Sequence, residues 1–283
     1  LALTILKAVA KRKLGFGTLN GFERFLLSQI MVPDRVSTML AATNIEPYLV
    51  DPKYDYELLT SSPEANLELF DRVRARFKAD TIMVPTWMGL LSVGAAELGV
   101  KFKIEKMRVP YPVDSPIKSI EDIQKIKVPE KATGYFKKTI DINRAAQKKY
   151  IDTIISMTFD GPWDLAMLLR GDRYLPMDLR IHKDYTDAKD LATKEKIRKH
   201  GNPDLYPAIM DLTAQIAIRQ VQLGKEEGLN MIGATLTDQY AAKPILSFED
   251  YTRFVLPYIE RVWNAFDKKL TLVYMGNSPK DYE

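Results

Sequence analysis

The chain has 283 residues, 46% of them hydrophobic and 28% charged, with a formal net charge of +4. That balance suits a packed globular core, excludes a disordered chain, and leaves a basic excess too mild to argue for nucleic acid. The absence of cysteine excludes disulfides and thiolate metal sites within the chain, and the two histidines, His182 and His200, exclude a His-rich metal site.

Leu1 to Ala10 is apolar and is followed by Lys11-Arg12-Lys13, the reverse of a secretory signal's charge order. We read it as a surface or terminal helix within a helical segment over residues 1–32; a helix lying on a membrane is the alternative. No run reaches the ~18 apolar residues a membrane span needs. The chain starts at Leu, so further N-terminal sequence is expected upstream. From there a βα rhythm sets in, as in a parallel sheet or barrel, and residues 33–283 read as one such domain.

Val36–Thr43 is the first expected strand. Ser62 can cap a helix, Pro63 suits its first turn, and Leu67, Phe70, Val73 and Phe77 share one face. Thr81–Val84 is the second strand, ended by Pro85. Val100–Val109 reads as a hairpin excursion, with Pro110, Pro112 and Pro116 in an extended loop behind it. Ser119 opens a helix with Asp122 as its capping acid, and a longer helix spans Phe136–Tyr150. Thr153–Phe159 is the third strand, running into Asp160-Gly161-Pro162-Trp163 and a helix through Arg170. Asp184–Gly201 is charged and expected to be exposed, with both histidines on the surface. Pro207–Leu223 has helical spacing, with Gly224 or Gly228 to end it. Asn230–Thr235 is the fourth strand, Ser247 caps a helix to Phe266, and Leu270–Tyr274 is the fifth strand. A closed eight-stranded barrel needs three further βα units, so either the fold is an open sheet or the chain lacks the C-terminal part of a barrel.

Several stretches, in order, resemble the uroporphyrinogen decarboxylase superfamily, which also holds corrinoid-linked methyltransferases. They are Pro33-Asp34-Arg35-Val36, Glu97-Leu98-Gly99-Val100 with Ser115-Pro116-Ile117 and Ser119-Ile120-Glu121-Asp122, and Gly161-Pro162-Trp163-Asp164-Leu165-Ala166 ending at Arg170-Gly171. Asp238 with Leu246-Ser247-Phe248-Glu249 and Val255-Leu256-Pro257-Tyr258 follows, then Tyr274-Met275-Gly276-Asn277. The resemblance implies a TIM (β/α)8-type barrel, of which the chain covers about five βα units, and a divergent member of the family. The decarboxylase's Arg-rich N-terminal segment has no counterpart; Pro33–Thr43 holds only Arg35. The turn after the second strand, Pro85-Thr86-Trp87-Met88-Gly89, lacks the family's acid, and its tyrosine falls near Leu168. The first two zinc-ligand positions of the methyltransferases fall at Val273 and Met275, which cannot ligate zinc.

In such a barrel the chemistry sits just past the strand ends. Asp160 and Asp238 are the expected acid and base, because desolvation at a strand end raises a carboxyl's pKa toward working pH. The alternatives are a helix cap for Asp160 and a loop acid paired with Lys243 for Asp238. Glu46, Thr86, Trp87, Trp163, Gln239, Tyr240, Tyr274 and Asn277 are the expected substrate-binding residues. Plain packing is the alternative for Trp87 and Trp163, and turn formation for Asn277. No cofactor is expected through Cys or His, and a corrinoid enters as substrate or partner cofactor. Three functions follow: corrinoid-linked methyl transfer from a small methylated substrate, decarboxylation of tetrapyrrole carboxylates, and a non-catalytic binding or assembly subunit. The expected setting is cytoplasmic, with a small-molecule or tetrapyrrole substrate, a corrinoid protein and a homodimer as partners, and neither nucleic acid nor membrane.

Overall fold

The computed structural model describes residues 2–14, 19, 23, 39–41, 51–77, 81–83, 93–106, 108–152, 154–232, 234–238, 240–241, 244–268 and 270–273. Its first helix, α1, is Ala2–Leu14, and Lys11 Nζ lies 2.7 Å from a carboxylate oxygen of Glu23. The strands β1 (Met39–Ala41) and β2 (Thr81–Met83) pair in parallel. Between them lie α2 (Tyr56–Ser61) and α3 (Pro63–Phe77), and Ser62 Oγ accepts the N–H of Ala65 at 3.1 Å, the cap its position predicts.

α4 (Val93–Ala96) precedes an antiparallel hairpin of β3 (Lys101–Glu105) and β4 (Arg108–Asp114). Pro110 and Pro112 belong to β4 rather than to the expected loop. A two-stranded sheet has only edges, where a residue without an N–H is tolerated, and its register is irregular. α5 (Ile120–Ile123) opens with the expected capping box of Ser119 and Asp122. α6 (Gly134–Lys149) follows.

The expected third strand divides into β5 (Ile154–Ser156) and β6 (Thr158–Asp160). β5 pairs in parallel with β2, whereas β6 pairs with β7 (Thr235–Thr237), which pairs with β8 (Thr271–Val273). The chain changes neighbours at Met157, whose carbonyl accepts the N–H of Thr235 at 3.0 Å. This staggered run of parallel strands with helices between them gives a TIM-barrel-like α/β fold. The fourth strand lies later than expected. Gln147 pairs with both backbone groups of Asn230 at 2.8 and 2.9 Å, which replaces a ladder there and defers the strand to Thr235.

α7 (Pro162–Arg170) is buried from Pro162 to Leu169. Trp163, Leu165 and Leu169 have no exposure, and each such side chain contributes roughly 1.5–3 kcal/mol of burial. Beside it run α8 (Tyr174–Asp187), the exposed α9 (Leu191–His200) and the long α10 (Leu205–Glu226). His200 is exposed as expected, but His182 is half-buried, its Nδ1 2.8 Å from the Pro203 carbonyl and its ring edge-on to Phe254. Arg170 closes the end of α7, donating to Asp178 at 2.6 Å and to the Lys118 carbonyl at 3.0 Å.

Ser247 caps α11 (Phe248–Asp250), which continues through a π-helical turn at Tyr251–Val255 into α12 (Leu256–Asn264). Pro257 has no N–H to offer the carbonyl four residues earlier, so the ladder slips by one residue ahead of it. The Tyr206 hydroxyl donates to the Phe254 carbonyl at 2.8 Å and ties this turn to α10.

Gly224 does not end α10, which runs on to Glu226 before Gly228 turns it with a φ of 83°. Gly224 is instead where α10 touches the sheet: a Cβ there would stand 3.0 Å from the Phe159 ring and 3.2 Å from Leu229. Gly224→Leu is therefore expected to cost about 1–3 kcal/mol of stability through overpacking, read by urea denaturation. Wild-type stability in that variant would rule out the close approach.

Candidate functional site

Phe159 faces the helix layer, so by strand alternation Thr158 and Asp160 take the opposite face of β6. Their partners in register are Thr235 and Thr237, and the Thr158 and Thr235 hydroxyls bond across the strands at 3.0 Å. Asp160 and Thr237 thus stand level at the C-terminal ends of adjacent parallel strands. Asp238 follows at once. All three are at least nine-tenths buried, and among the described residues neither Thr237 Oγ1 nor Asp238 Oδ2 has a hydrogen-bond partner.

Asp238 holds α7 by its start. Gly161 is the N-cap residue and has no side chain to cap with, so the cap comes from a strand 74 residues away: Asp238 Oδ1 accepts the N–H of Asp164 at 2.9 Å. Asp164 returns the bond, its Oδ1 accepting the N–H of Tyr240 at 3.1 Å. The Gly161 N–H donates to the Thr237 carbonyl at 2.7 Å. A Cβ on residue 161 would stand 2.2 Å from Asp238 Oδ2, so glycine is required where the carboxyl crosses the turn.

Burial pushes the Asp160 carboxyl well above the usual range, the charge of Asp164 adds to it, and the facing Gly94 N–H opposes. Burial likewise raises Asp238, with Asp164 and Asp160 adding and the first-turn N–H groups of Asp164 and Trp163 opposing. The helix terminus does not win, because three acids share one desolvated site. A carboxyl with a raised pKa holds its proton to higher pH than an ordinary one and is suited to act as a general acid.

Of the expected substrate-binding residues, Trp163 is fully buried against Tyr206, ring centroids 6.4 Å apart. Its surroundings give it the packing role, with no face open for stacking on a ligand. Tyr240 joins the acidic group through its backbone N–H, its side chain 42% exposed. Glu46, Thr86, Trp87, Gln239, Tyr274 and Asn277 lie outside the described residues, as does Lys243. The cap considered for Asp160 is made by Asp238. Sequence reasoning passed over Asp164 and Thr237. The signal for Asp164 was its place three residues after Gly161, where an acid faces a helix N-terminus. Thr237 could be found only from register.

A family model described as "Uroporphyrinogen decarboxylase (URO-D)" matches residues 48–279. The chain belongs to the uroporphyrinogen decarboxylase family. It is a divergent member. The uroporphyrinogen decarboxylase of Geobacter metallireducens is 25% identical over 169 residues, 58% of this chain and 44% of that protein. That of Citrifermentans bemidjiense is 25% identical over 161 residues, 56% of this chain and 42% of the relative. The match thus spans less than half the length of these relatives. Among solved structures, a methyltransferase from Methanosarcina mazei shares the fold, with a TM-score of 0.69 and 17% identity over 92% of this chain and 71% of that one. In TIM-type barrels chemistry sits at the C-terminal ends of the strands, which is the level of Asp160, Thr237 and Asp238. No helix among the described residues is long and apolar enough to cross a membrane.

The raised carboxyls have a signature in stability. A folded chain that keeps a proton the unfolded chain has released loses stability as pH climbs from the ordinary carboxylate range toward the raised folded value. Asp160→Asn removes one such group, so its unfolding free energy should fall less steeply as pH rises above the ordinary carboxylate range. Parallel slopes for the variant and the parent would show that Asp160 titrates normally.

Proposed function

We propose that this chain carries the active site of a methyl-transferring member of the family, acting with a corrinoid on a small methylated substrate. The observation that supports it is the sign of charge at the strand ends. Asp160, Asp164 and Asp238 are buried together, and among the described residues the charges acting on Asp160 and Asp238 are those of neighbouring acids. A tetrapyrrole polycarboxylate would find acids rather than cationic partners among the described residues here, and burying its unpaired charge is costly. Its cationic grips are also missing from Pro33–Thr43, which holds only Arg35.

The acids suit the proton side of a methyl transfer. When a CH3–X bond breaks toward a methyl acceptor, X leaves with the electron pair and needs a proton; Asp160 in its acid form supplies it. Asp238 and Asp164 hold the strand end and helix start in place around it. A bound corrinoid supplies the methyl-accepting centre. The acidic group fits such chemistry as a proton source and needs no protein-bound zinc. A reducing cytoplasm suits a chain without cysteine and belongs to the same reading.

The second reading, decarboxylation of a tetrapyrrole, draws on the names of the curated relatives. One experiment separates the two. The purified protein is mixed with reduced cobalamin and a small methyl donor, or with uroporphyrinogen, following cobalamin absorbance in one case and porphyrin carboxyl count in the other. Methylation of the corrinoid is expected, slowed about 100-fold or more in Asp160→Asn by loss of the general acid. Loss of carboxyls from uroporphyrinogen without corrinoid turnover would establish the second reading instead.

A further inference from the structure

We propose that Gln220 is a positioning residue for the proton at Asp160, acting through the backbone of Gly94. The inference rests on the reading of Asp160 as the acid of the site and adds the part of the molecule that sets its strength. Among the described residues, Asp160 is faced by Asp164 in the first turn of α7, by Asp238 beyond β7, and by the N–H of Gly94 in α4. The two acids favour its protonated form, as burial does. The Gly94 amide opposes them by favouring the ionised form. The reach from Gly94 to the carboxyl therefore governs how far burial raises Asp160.

Gly94 is buried, and the side-chain amide of Gln220 lies over its Cα. A Cβ on residue 94 would overlap Gln220 Nε2 and stand 2.7 Å from Cδ, so the space a side chain would take is filled from α10. Gln220 is itself only 2% exposed. It stands one turn before Gly224 on α10, and Gly224 is where that helix meets the Phe159 ring. One helix thus touches both sides of the pairing: the neighbour of Asp160 through Gly224, and the residue that offers the amide through Gln220. A long side chain at 220 keeps Gly94 at a set reach from β6. A short one leaves a void into which α4 can shift. A general acid works best with its pKa near the working pH, and a fixed amide keeps a buried carboxyl from holding its proton too firmly.

The test follows the Asp160 carboxyl itself, by carbon NMR of the full chain labelled at its aspartate carboxyls, with the Asp160 signal identified by its loss in Asp160→Asn. In Gln220→Ala the titration midpoint of that signal should rise by about one pH unit, as when a hydrogen bond to a charged group is lost. Gly94→Ala should raise it too, because the new methyl and the Gln220 amide compete for one space. Combining the two substitutions frees that space and should return the midpoint toward the parent. Gln220→Met keeps the length and should leave the midpoint where it was. Gln220→Asn draws the amide back by one methylene and gives the same rise if the alanine variant does not fold. Parent midpoints in Gln220→Ala, Gln220→Asn and Gly94→Ala, with only their unfolding free energy lowered, would reduce Gln220 to packing and overturn the inference. An equal rise in Gln220→Met, or no recovery in the paired variant, would also overturn it. If cobalamin is methylated while the midpoints stay put, the inference falls and the proposed function stands. If the midpoints move as expected and no methyl is transferred, Gln220 still sets the proton affinity of Asp160 and the proposed function falls.

Discussion

The reciprocal bond between Asp164 and Asp238 is the constraint on which the candidate site depends. Asp238 caps α7 from the end of β7, and Asp164, in the first turn of α7, caps the chain leaving β7. With the Gly161 N–H on the Thr237 carbonyl, three bonds fasten the β6–α7 junction to the exit of β7. An N-cap is worth about 1 kcal/mol on its own. Here it also settles where two strand ends stand relative to each other, and so where Asp160 and Thr237 meet. The cost is a set of acids gathered out of water. Side chains that could have neutralised the group would have anchored the junction as well, but as ion pairs, leaving no carboxyl in its acid form.

That trade explains why the carboxyls are raised even though one sits at a helix N-terminus. Two amide dipoles favour charge on Asp238, but desolvation and two neighbouring acids outweigh them. Asp160 has one facing amide and the same burial. The two acids differ in duty: Asp238 is committed through Oδ1 to α7, whereas Asp160 takes no part in capping α7, faces the Gly94 N–H in the first turn of α4, and shares a level with a hydroxyl that has no partner among the described residues.

Much of this was readable from the residues. The helix starts at Ser62, Ser119 and Ser247 follow from local capping chemistry, which acts within four residues and needs no tertiary information. The run from Asp160 to Arg170 was legible because Pro162 and the flanking glycines mark both ends. Strand limits were not. Asn230–Thr235 looks like a strand, but Gln147 takes its first backbone pair, and that side chain is 83 residues away. The break at Met157 is invisible because each half of Thr153–Phe159 is a good strand; only the change of partner divides them. For the site, two acids at strand ends were expected and both lie there. Their mutual capping and the role of Asp164 depend on contacts across 74 and 76 residues, which no local pattern encodes.

The change of partner at Met157 bears on how this chain can vary. β5 answers to the register of β2 and β6 to that of β7, so one short segment links the two three-stranded parallel sheets. A single inserted residue at the seam would invert the side-chain order of whichever half gave way. It would either drive Ile155 out of its packing with Phe70 and Tyr150 or turn Asp160 into the helix layer. Only insertions or deletions of two residues keep both faces. Length change in this family member is thus expected to gather in the connections after the strands and to spare the stretch from Ile154 to Asp160.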